Sequence, residues 1–272
     1  IMVKKSNPFK LLIIVPTLNS KNYLPRLINS LRNQVFKNWR LIFIDGLSDS
    51  SNINFLIDEC NKEKKFEWET QKKIDDGIFG AMNQGFKKAK NNEWVVFWGS
   101  DDWLSNNYAL EKVMKKINNS QVCPDLLITK ATYYNFHTLE KGRESMLYFA
   151  PFKKLEFLRK YNLRLFFGSQ PPHQSAFIGP KLRKYLNYYD IKYKLAADLD
   201  YFLKIRHFKN LNIVYFPINT LSIGENGISG RSNSLRTSEV YKAYRNEYGF
   251  FYFIPFTLRY ILRLIQILLS KL

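Results

Sequence analysis

The residues best suited to chemistry are two adjacent aspartates, Asp101 and Asp102, which closely follow the short apolar stretch Trp94 to Trp98. Such a stretch is long enough for a buried strand, and open α/β sheets bind their ligands just past the carboxyl ends of their strands. Carboxylates at that place favour a hard divalent cation such as Mg²⁺ or Mn²⁺. The competing interpretation is a solvated acidic turn, because Asp is common in turns.

Strands and helices alternate over roughly the first 120 residues. Apolar runs predict strands at 11–15, 40–44 and 66–70, and helical spacing of apolar residues predicts helices near 24–31, 51–61 and 78–90. The alternation predicts an α/β fold with a doubly wound, mostly parallel sheet. Thr17 and Asn19 follow the first strand and Asp45 follows the second, so we expect them on the same sheet edge as Asp102.

Shorter elements follow beyond about residue 120. The pattern predicts strands at 126–129, 175–178 and 212–216, a hairpin of 131–137 and 143–149 around a turn at Lys141-Gly142, and a helix at 153–164. Prolines exclude helix from the loop that holds His173 and Gln174. A helix is predicted at 198–207, with Asp198 in a position to cap its start. We expect one domain over 1–235, with a nucleotide half at about 1–120 and an acceptor half at about 121–235.

The segment from Phe256 to Leu272 predicts an amphipathic helical extension. Its polar residues make one narrow stripe on a surface that is otherwise mostly Leu, Ile and Tyr, namely Arg259, Arg263, Gln266 and Ser270. A helix of this kind lies well in a membrane interface, so residues 236–272 are expected to form a helical membrane-association segment. Docking on the body of the protein or on a dimer partner is the alternative.

The composition is that of a globular and strongly basic chain, with 46% hydrophobic residues and a formal net charge of +19. That charge favours an anionic partner, which can be a nucleotide, a nucleic acid or an acidic membrane. The two cysteines, Cys60 and Cys123, have no CxxC spacing, which fits a reducing compartment. The short apolar runs predict neither a signal peptide nor a transmembrane helix.

The motifs, in this order and spacing, resemble those of family-2 glycosyltransferases with the GT-A fold, of the type that makes bacterial polysaccharides and lipid-linked glycans. The resemblance covers about residues 10–235 and implies a Rossmann-like, mostly parallel sheet flanked by helices. It is carried by IVPTLN at 14–19, LIFIDGLS at 41–48, DDGIFGAMNQG at 75–85, GSDD at 99–102, PHQ at 172–174 and AADLD at 196–200.

The resemblance also implies roles for the matching residues. It makes Asp102 the ligand of a divalent metal, Mg²⁺ or Mn²⁺, and Asp198 the catalytic base, with His173 as a second catalytic residue. The nucleotide contacts that it implies are Pro16, Thr17, Asn19, Asp45, Asp75, Gly77, Asn83, Ser100 and Asp101. An acceptor or phosphate loop would include Gln174, Ser229 and Arg231. Judged by position alone, Asp198 can instead be a helix cap and Arg231 a surface charge.

Several positions depart from the family pattern. Gly80 and Gly99 stand where Asp and Asn are usual, and Ser100 replaces the first Asp of a D-x-D motif. After the second strand, Ser-Asp-Ser at 48–50 replaces Ser-Thr-Asp, so either Asp49 or Ser50 can take the acidic residue's part. These departures concern the nucleobase contacts and the metal ligands, and none affects the predicted fold.

The predicted function is transfer of a sugar from a nucleotide-sugar donor, most simply UDP-linked, by an inverting, metal-dependent glycosyltransferase of the hexosyltransferase type. The expected acceptor is a lipid-linked glycan or polysaccharide, and the expected location is cytoplasmic, peripheral on the anionic inner face of the cell membrane. Two other classes compete. A basic, aromatic-rich nucleic-acid-binding module leaves the acidic loop ends unexplained, so no nucleic acid is expected as a partner. A sugar-1-phosphate nucleotidyltransferase needs a Gly-rich loop after the first strand, and residues 16–20 contain no glycine.

Overall fold

The computed structural model describes residues 10–145, 160–225 and 233–269. The strands within these ranges are β1 Lys10–Thr17, β2 Trp39–Asp45, β3 Phe66–Thr70, β4 Glu93–Phe97, β5 Trp103–Leu104, β6 Leu126–Tyr134, β7 Lys141–Glu144, β8 Ala176–Ile178 and β9 Ile213–Gly224. The helices are α1 Leu24–Arg32, α2 Ser50–Lys62, α3 Gly77–Phe86, α4 Ala109–Asn118, α5 Tyr161–Phe166, α6 Pro180–Tyr185, α7 Ala197–Ile205, α8 Asn233–Tyr248 and α9 Phe253–Leu269. Short 3-10 turns at Ile74–Asp76, His173–Ser175 and Gly249–Tyr252 precede α3, β8 and α9.

One sheet joins these strands in the order β3-β2-β1-β4-β8-β6-β9-β5, with β7 paired to β6. The first four strands, β1 to β4, are all parallel, which confirms the prediction from the strand–helix alternation. Thr17 is in register with Asp45, and Ile14 with Phe97. These strands therefore end at one edge of the sheet, and the polar residues that follow them meet there.

The second half continues the same sheet with mixed strand directions. β8 runs antiparallel to both β4 and β6 and so joins the two halves. β9 runs parallel to β6, and the short β5 runs antiparallel to β9. Since β5 begins at Trp103, the aspartate pair occupies the turn between β4 and β5, and β5 pairs with β9 of the second half.

The sequence of β1 is continuously apolar because helices cover both faces of the sheet. Leu11, Leu12, Ile13, Ile14 and Val15 are all completely buried. Side chains alternate between the faces, so Leu12 and Ile14 pack with α3 and α7, whereas Leu11, Ile13 and Val15 pack with α1 and α4. Burial of each such side chain contributes about 2 kcal/mol relative to exposure. The centre of the sheet is thus a firm base for the loops at its edge.

Several predicted boundaries are wrong, among them the end of β9, which lies at Gly224 rather than at 216. α3 ends at Phe86 rather than at 90. The hairpin turn is formed by residues 135–140, because the Asn135 side chain accepts the N–H groups of His137 and Thr138, and Lys141-Gly142 lies in β7. α7 begins at Ala197, so Asp198 lies inside the first helical turn and is not the cap. Part of the predicted hairpin and part of the helix expected at 153–164 fall outside the described residues.

The C-terminal segment forms two helices that pack on the rest of the domain. Val240, Ala243 and Tyr244 of α8 are buried in the same core as α7, and Phe256 of α9 packs against that core. The opposite side of α9 is exposed and apolar at Ile261, Leu264 and Ile265. Across the described ranges, no helix has both the length and the apolar character needed to span a bilayer.

Candidate functional site

Asp45 joins the loops that follow β1 and β2. Its carboxylate is completely buried and accepts hydrogen bonds from the Thr17 hydroxyl at 3.1 Å, the Ser48 hydroxyl at 2.6 Å and the Ser48 N–H at 2.8 Å. A buried carboxylate with these partners fixes the geometry of both loops. Asp45 and Thr17 therefore shape the predicted nucleotide end of the site from within the protein.

Asn19 is an exposed residue of this end, beside the half-buried Pro16. Its φ of 48° lies in the left-handed region that Asn tolerates. Its N–H donates to the Ser48 hydroxyl at 2.8 Å, and its Oδ1 accepts the Asp49 N–H at 3.0 Å. Asp49 itself is the N-cap of α2, and hydrogen bonds from Asn52 above all lower the pKa of Asp49 to about 2. Asp49 and Ser50 are the two candidates for the acidic residue of the family's Ser-Thr-Asp. The structure uses Asp49 as the N-cap of α2.

Asp75, Gly77 and Asn83 lie along the 3-10 turn and α3. Asp75 is exposed, and its backbone carbonyl accepts the Lys194 ammonium at 2.7 Å. Gly77 has a φ of +63° where the turn passes into α3, which favours glycine. Asn83 exchanges two hydrogen bonds with the backbone of Tyr189, at 2.6 and 2.8 Å. The Asn83 amide therefore joins α3 to the segment before α7, and Asp75 is the most accessible of the three.

One departure from the family pattern has a direct steric reason. Gly80 stands where the family commonly has Asp, and a Cβ at this position would lie 2.3 Å from the Cβ of Asp76. Asp76 lies one helical turn earlier on the same face. The side chain of Asp76 thus occupies the space that a residue larger than glycine would need at position 80.

Ser100, Asp101 and Asp102 form the turn between β4 and β5. Asp102 is only 1% exposed, and its Oδ2 accepts the Gly99 N–H at 2.7 Å. Its Oδ1 is buried and makes no hydrogen bond of ordinary geometry among the described residues, and the nearby Gly224 N–H only partly offsets the burial of the carboxylate. Burial raises the pKa of Asp102 well above its usual range, and the neighbouring Asp101 carboxylate adds to the rise. Asp101 is less buried and packs against Gly224, where a Cβ would lie 2.7 Å from its carboxylate.

This turn fits a divalent cation. A buried carboxylate oxygen without a partner is costly, and a cation would relieve that cost at Oδ1 of Asp102. The described part of the chain contains no group of three His, Cys, Asp or Glu side chains that suits a metal ion. Mg²⁺ often takes one or two carboxylates and completes its shell with water and phosphate oxygens. The protein would therefore supply Asp102, with Asp101 beside it, and the substrate and water would supply the other ligands.

The loop of His173 and Gln174 is held beside this turn. The indole N–H of Trp98, at the end of β4, donates to the Gln174 carbonyl at 2.9 Å. The Ser175 hydroxyl donates to the Thr129 carbonyl of β6 at 2.9 Å. The prediction that this loop is not an α-helix is correct, because His173–Ser175 forms a single 3-10 turn. Strands of both halves thus fix the position of His173.

Asp198 lies in the first turn of α7 among hydrogen-bond donors. Its Oδ2 accepts the Gln170 side-chain amide at 2.6 Å, and Nδ1 of His173 lies 3.6 Å from the same oxygen. Its Oδ1 accepts the Leu199 N–H at 2.8 Å. The side chain remains 22% exposed, which leaves room for contact with a substrate.

Burial opposes the ionisation of Asp198, but its neighbours outweigh this effect. His173, Arg259 and the Leu199 N–H together hold the pKa of Asp198 below its ordinary value. The side chain is therefore a carboxylate at neutral pH, which is the form that accepts a proton. Asp200, two residues on, is buried and pairs with Lys204 at 2.6 Å, so it has a structural role.

The charges of both acidic centres act on Tyr133 of β6. Burial raises the pKa of the Tyr133 hydroxyl, and the charges of both Asp102 and Asp198 add to the rise. Arg143, whose guanidinium lies 3.6 Å from the centroid of the tyrosine ring, opposes it. The geometric link between the two regions is the hydrogen bond from Trp98, beside the aspartate turn, to the loop of His173, which lies 3.6 Å from the Asp198 carboxylate.

Sequence reasoning missed three residues of this region. Gln170 donates to Asp198 and accepts from Arg259 of α9 at 2.8 Å. Glu239 of α8 is 4% exposed and holds the segment that leads into α7 by accepting the N–H groups of residues 194, 195 and 196 at 2.7 to 3.0 Å. Gln170 stood inside the predicted loop and was not assigned a role. No local pattern identifies Glu239 or Arg259, since both act across long sequence separations.

Two predicted residues, Ser229 and Arg231, lie outside the described residues. Trp103, which follows the aspartate turn, packs against Tyr134 with ring centroids 5.4 Å apart. The Arg26 guanidinium lies 4.8 Å from the Trp103 centroid. Trp103 is therefore a packing residue beside the aspartate turn.

The mostly parallel sheet, flanked by helices and with polar residues beyond the carboxyl ends of its strands, has the GT-A fold of glycosyltransferases. Residues 12–174 match the sequence profile of Glycosyl transferase family 2, and the chain belongs to this family. The PGL/p-HBAD biosynthesis glycosyltransferase of Mycobacterium bovis is 24% identical over 262 residues, which cover 95% of this chain and 89% of that protein. The GalNAc(5)-diNAcBac-PP-undecaprenol beta-1,3-glucosyltransferase of Campylobacter jejuni is 29% identical over 137 residues, or 50% of this chain and 44% of that protein.

Solved structures share the fold. S. aureus TarS 1–349 in complex with UDP-GlcNAc superposes with a TM-score of 0.66 and 21% identity, covering 87% of this chain and 65% of that one. A mannosyltransferase of Pyrobaculum calidifontis in complex with GDP-Man and Mn²⁺ gives a TM-score of 0.61 and 12% identity, covering 89% and 65%. The chain thus spans just under two thirds of the length of these structures.

Proposed function

We propose that this glycosyltransferase is inverting and metal-dependent, and that it moves a sugar from a nucleotide-sugar donor, most simply a UDP-sugar, to a lipid-linked or polysaccharide acceptor. The observation that carries the proposal is the connection of two unlike acidic centres through the Trp98–Gln174 hydrogen bond and the adjacent His173. One contains the buried, unpartnered oxygen of Asp102, which suits a cation bound to a diphosphate. The other contains Asp198 as a carboxylate, which suits an acceptor hydroxyl.

The reaction would be a single displacement. The acceptor hydroxyl attacks the anomeric carbon on the face opposite the leaving nucleoside diphosphate, which inverts the configuration. Asp198 accepts the hydroxyl proton as the new carbon–oxygen bond forms. Gln170 and the Leu199 N–H hold one carboxylate oxygen each, so the group is oriented before the substrate arrives. His173 lies near the same carboxylate and favours its ionised form.

The donor side divides into residues that contact a ligand and residues that shape the site. Asp102, with Asp101 beside it, would hold a divalent cation, which supplies positive charge to the departing diphosphate when it is bound. The accessible residues Asn19, Asp75 and Ser100 would contact the nucleotide, together with Pro16 and Gly77. Asp45, Thr17 and Asn83 would act by holding the surrounding loops.

A lipid-linked acceptor at a membrane face is supported by two features. One relative is named for an undecaprenol-linked substrate. The C-terminal segment exposes large apolar side chains on a chain of net charge +19, at Phe250, Phe251, Phe253, Ile261 and Leu264. Apolar side chains on a basic protein suit an anionic membrane surface. We therefore place the enzyme as a peripheral protein on the inner face of the cell membrane.

The proposal is tested by a thermal-shift screen of UDP-, GDP- and dTDP-sugars with and without Mn²⁺. We expect one nucleotide class to raise the unfolding temperature of the wild type in a Mn²⁺-dependent manner. Asp198→Asn should keep this shift, because it lies on the acceptor side, and Asp102→Asn should lose it. Release of nucleoside diphosphate in the presence of a prenyl-diphosphate-linked glycan then measures transfer. A wild type that responds to no nucleotide with or without Mn²⁺ would contradict the proposal.

A further inference from the structure

A side chain from the C-terminal segment reaches the carboxylate of Asp198 through one intermediate. Arg259 of α9 donates through Nη2 to Oε1 of Gln170 at 2.8 Å, and Gln170 donates through Nε2 to Oδ2 of Asp198 at 2.6 Å. The oxygen of the amide faces a cation and its nitrogen faces an anion. This polarity fixes the orientation of the Gln170 amide. In a flipped amide, the NH₂ group would face the Arg259 guanidinium and the oxygen would face the Asp198 carboxylate, and neither hydrogen bond could form.

The loop that carries Gln170 lies directly against the backbone of α9. Gly168 has a φ of +76°, and a Cβ at this position would lie 2.6 Å from both the N and the Cα of Arg259. Backbone atoms cannot move aside for such a contact, so glycine permits the close approach. Phe256 of the same helix packs against the core and against the ring of Tyr241, at 6.1 Å between centroids. The inner side of α9 is thus seated firmly where the loop meets it.

We propose that Arg259 is a positioning residue for Asp198, acting through Gln170 to hold the carboxylate in the orientation in which it accepts the proton. The C-terminal helix is then part of the acceptor half and does more than associate with a surface. This inference rests on the proposed function of Asp198 as the base. It also gives a contact within the protein to Arg259, which belongs to the narrow polar stripe predicted for this helix.

Titratable or charged groups from several elements interact electrostatically with Asp198. They are His173 from the loop, Arg259 from α9, Tyr133 from β6 and Tyr189 from the segment before α7. Arg259 is the member of this set that carries a permanent charge. Without Arg259, fewer groups stabilise the ionised form of the buried Asp198, so the pKa of Asp198 should rise. A residue that only stabilised the fold would not change that pKa.

The test compares Arg259→Met, Arg259→Lys and Arg245→Met in the full chain. Arg245 is the matched control, because it is exposed on α8 and donates to the Tyr241 hydroxyl. The pKa of Asp198 is measured by carbon-13 NMR titration of the carboxyl groups, with Asp198→Asn used to assign the signal. Transfer is measured against pH with the donor found in the screen, and the unfolding temperature of each variant is recorded.

We expect Arg259→Met to raise the pKa of Asp198 and to lower kcat by roughly ten- to hundredfold, because the base is misplaced. The donor KM should stay within about twofold, since the donor side is intact. Arg259→Lys should restore the pKa in part but not the rate, because an ammonium lacks the planar geometry of the guanidinium. Arg245→Met should match the wild type.

An unchanged Asp198 pKa together with a wild-type rate in Arg259→Met would overturn the inference. If Arg259→Met fails to fold, Gln170→Met breaks the same bridge from the loop side and should give the same changes, and a wild-type pKa and rate there would equally overturn it. Failure of the proposed base is distinguishable, because Asp198→Asn would then transfer sugar at the normal rate. The NMR titration in that case still decides whether Arg259 controls the Asp198 carboxylate.

Discussion

The indole N–H of Trp98 donates to the backbone carbonyl of Gln174 at 2.9 Å, and this hydrogen bond joins the two halves of the candidate site. Trp98 stands three residues before Asp101, and Gln174 directly follows His173. The bond therefore connects the turn proposed to hold the metal with the loop beside the proposed base. Trp98 directly follows β4 and is buried in the core, and Gln174 lies in the 3-10 turn that precedes β8.

Trp98→Phe should weaken both the fold and the reaction. It removes the donor to Gln174 and leaves some empty volume, which together should lower the free energy of unfolding by about 2–4 kcal/mol. Trp39→Phe is the matched control, because its buried indole N–H has no partner among the described residues. Urea denaturation gives the stabilities. Equal losses in the two variants would mean that the Trp98 hydrogen bond adds nothing.

Asp198→Asn should keep donor binding while transfer falls by about 10²–10⁴-fold, because an amide cannot accept the hydroxyl proton. In the wild type, the lowered pKa of Asp198 keeps the base ionised into mildly acidic solution. The rate should thus be constant through neutral pH and decline only as the pH falls through a value below the ordinary range of Asp. A pH–rate profile of kcat measures this. Near-normal turnover by Asp198→Asn would place the base elsewhere.

The parallel half of the fold is predictable because the spacing of apolar residues within short segments identifies its strands and helices. Continuous apolar runs such as Leu11 to Val15 identify the central strands, and polar residues just after them identify the edge that holds Asp45 and Asp102. The residues that orient the side chains of the site instead contact residues that are far away in the sequence. Glu239 bonds to residues more than forty positions away, and Arg259 bonds to a residue 89 positions away. Their roles depend on how α8 and α9 pack, which no spacing within one segment records.

Glu239→Gln should destabilise the start of α7. The Glu239 carboxylate accepts three backbone N–H groups, at residues 194 to 196, whereas an amide has one oxygen and turns its own N–H groups toward these donors. We expect a loss of about 1–3 kcal/mol in the free energy of unfolding and a lower kcat, since α7 carries Asp198. The control is Glu111→Gln, which removes an exposed pair with Lys115 and should cost about 0.5 kcal/mol or less. A similarly small loss in both variants would remove Glu239 from the support of the site.

The exposed side of α9 should determine membrane association separately from catalysis. Ile261, Leu264 and Ile265 are exposed on this helix, whereas Arg259 faces Gln170. Replacing the three apolar residues by Gln removes the surface that would enter the interface. We expect binding to anionic vesicles to fall by at least about tenfold, since each apolar side chain contributes to insertion. Sedimentation with vesicles of increasing anionic-lipid content measures the change.

Arg259→Met supplies the complementary control for that experiment. It should remain bound to vesicles, because the exposed side of α9 is intact, while its transfer to a short, soluble acceptor should fall. The triple Gln variant should show the opposite behaviour, with normal transfer to the soluble acceptor and weak vesicle binding. If the triple variant binds vesicles as the wild type does, the exposed side of α9 does not face the membrane. If both variants lose both properties, the two sides of α9 do not act separately, and the division of this helix into a surface-binding side and a base-positioning side is wrong.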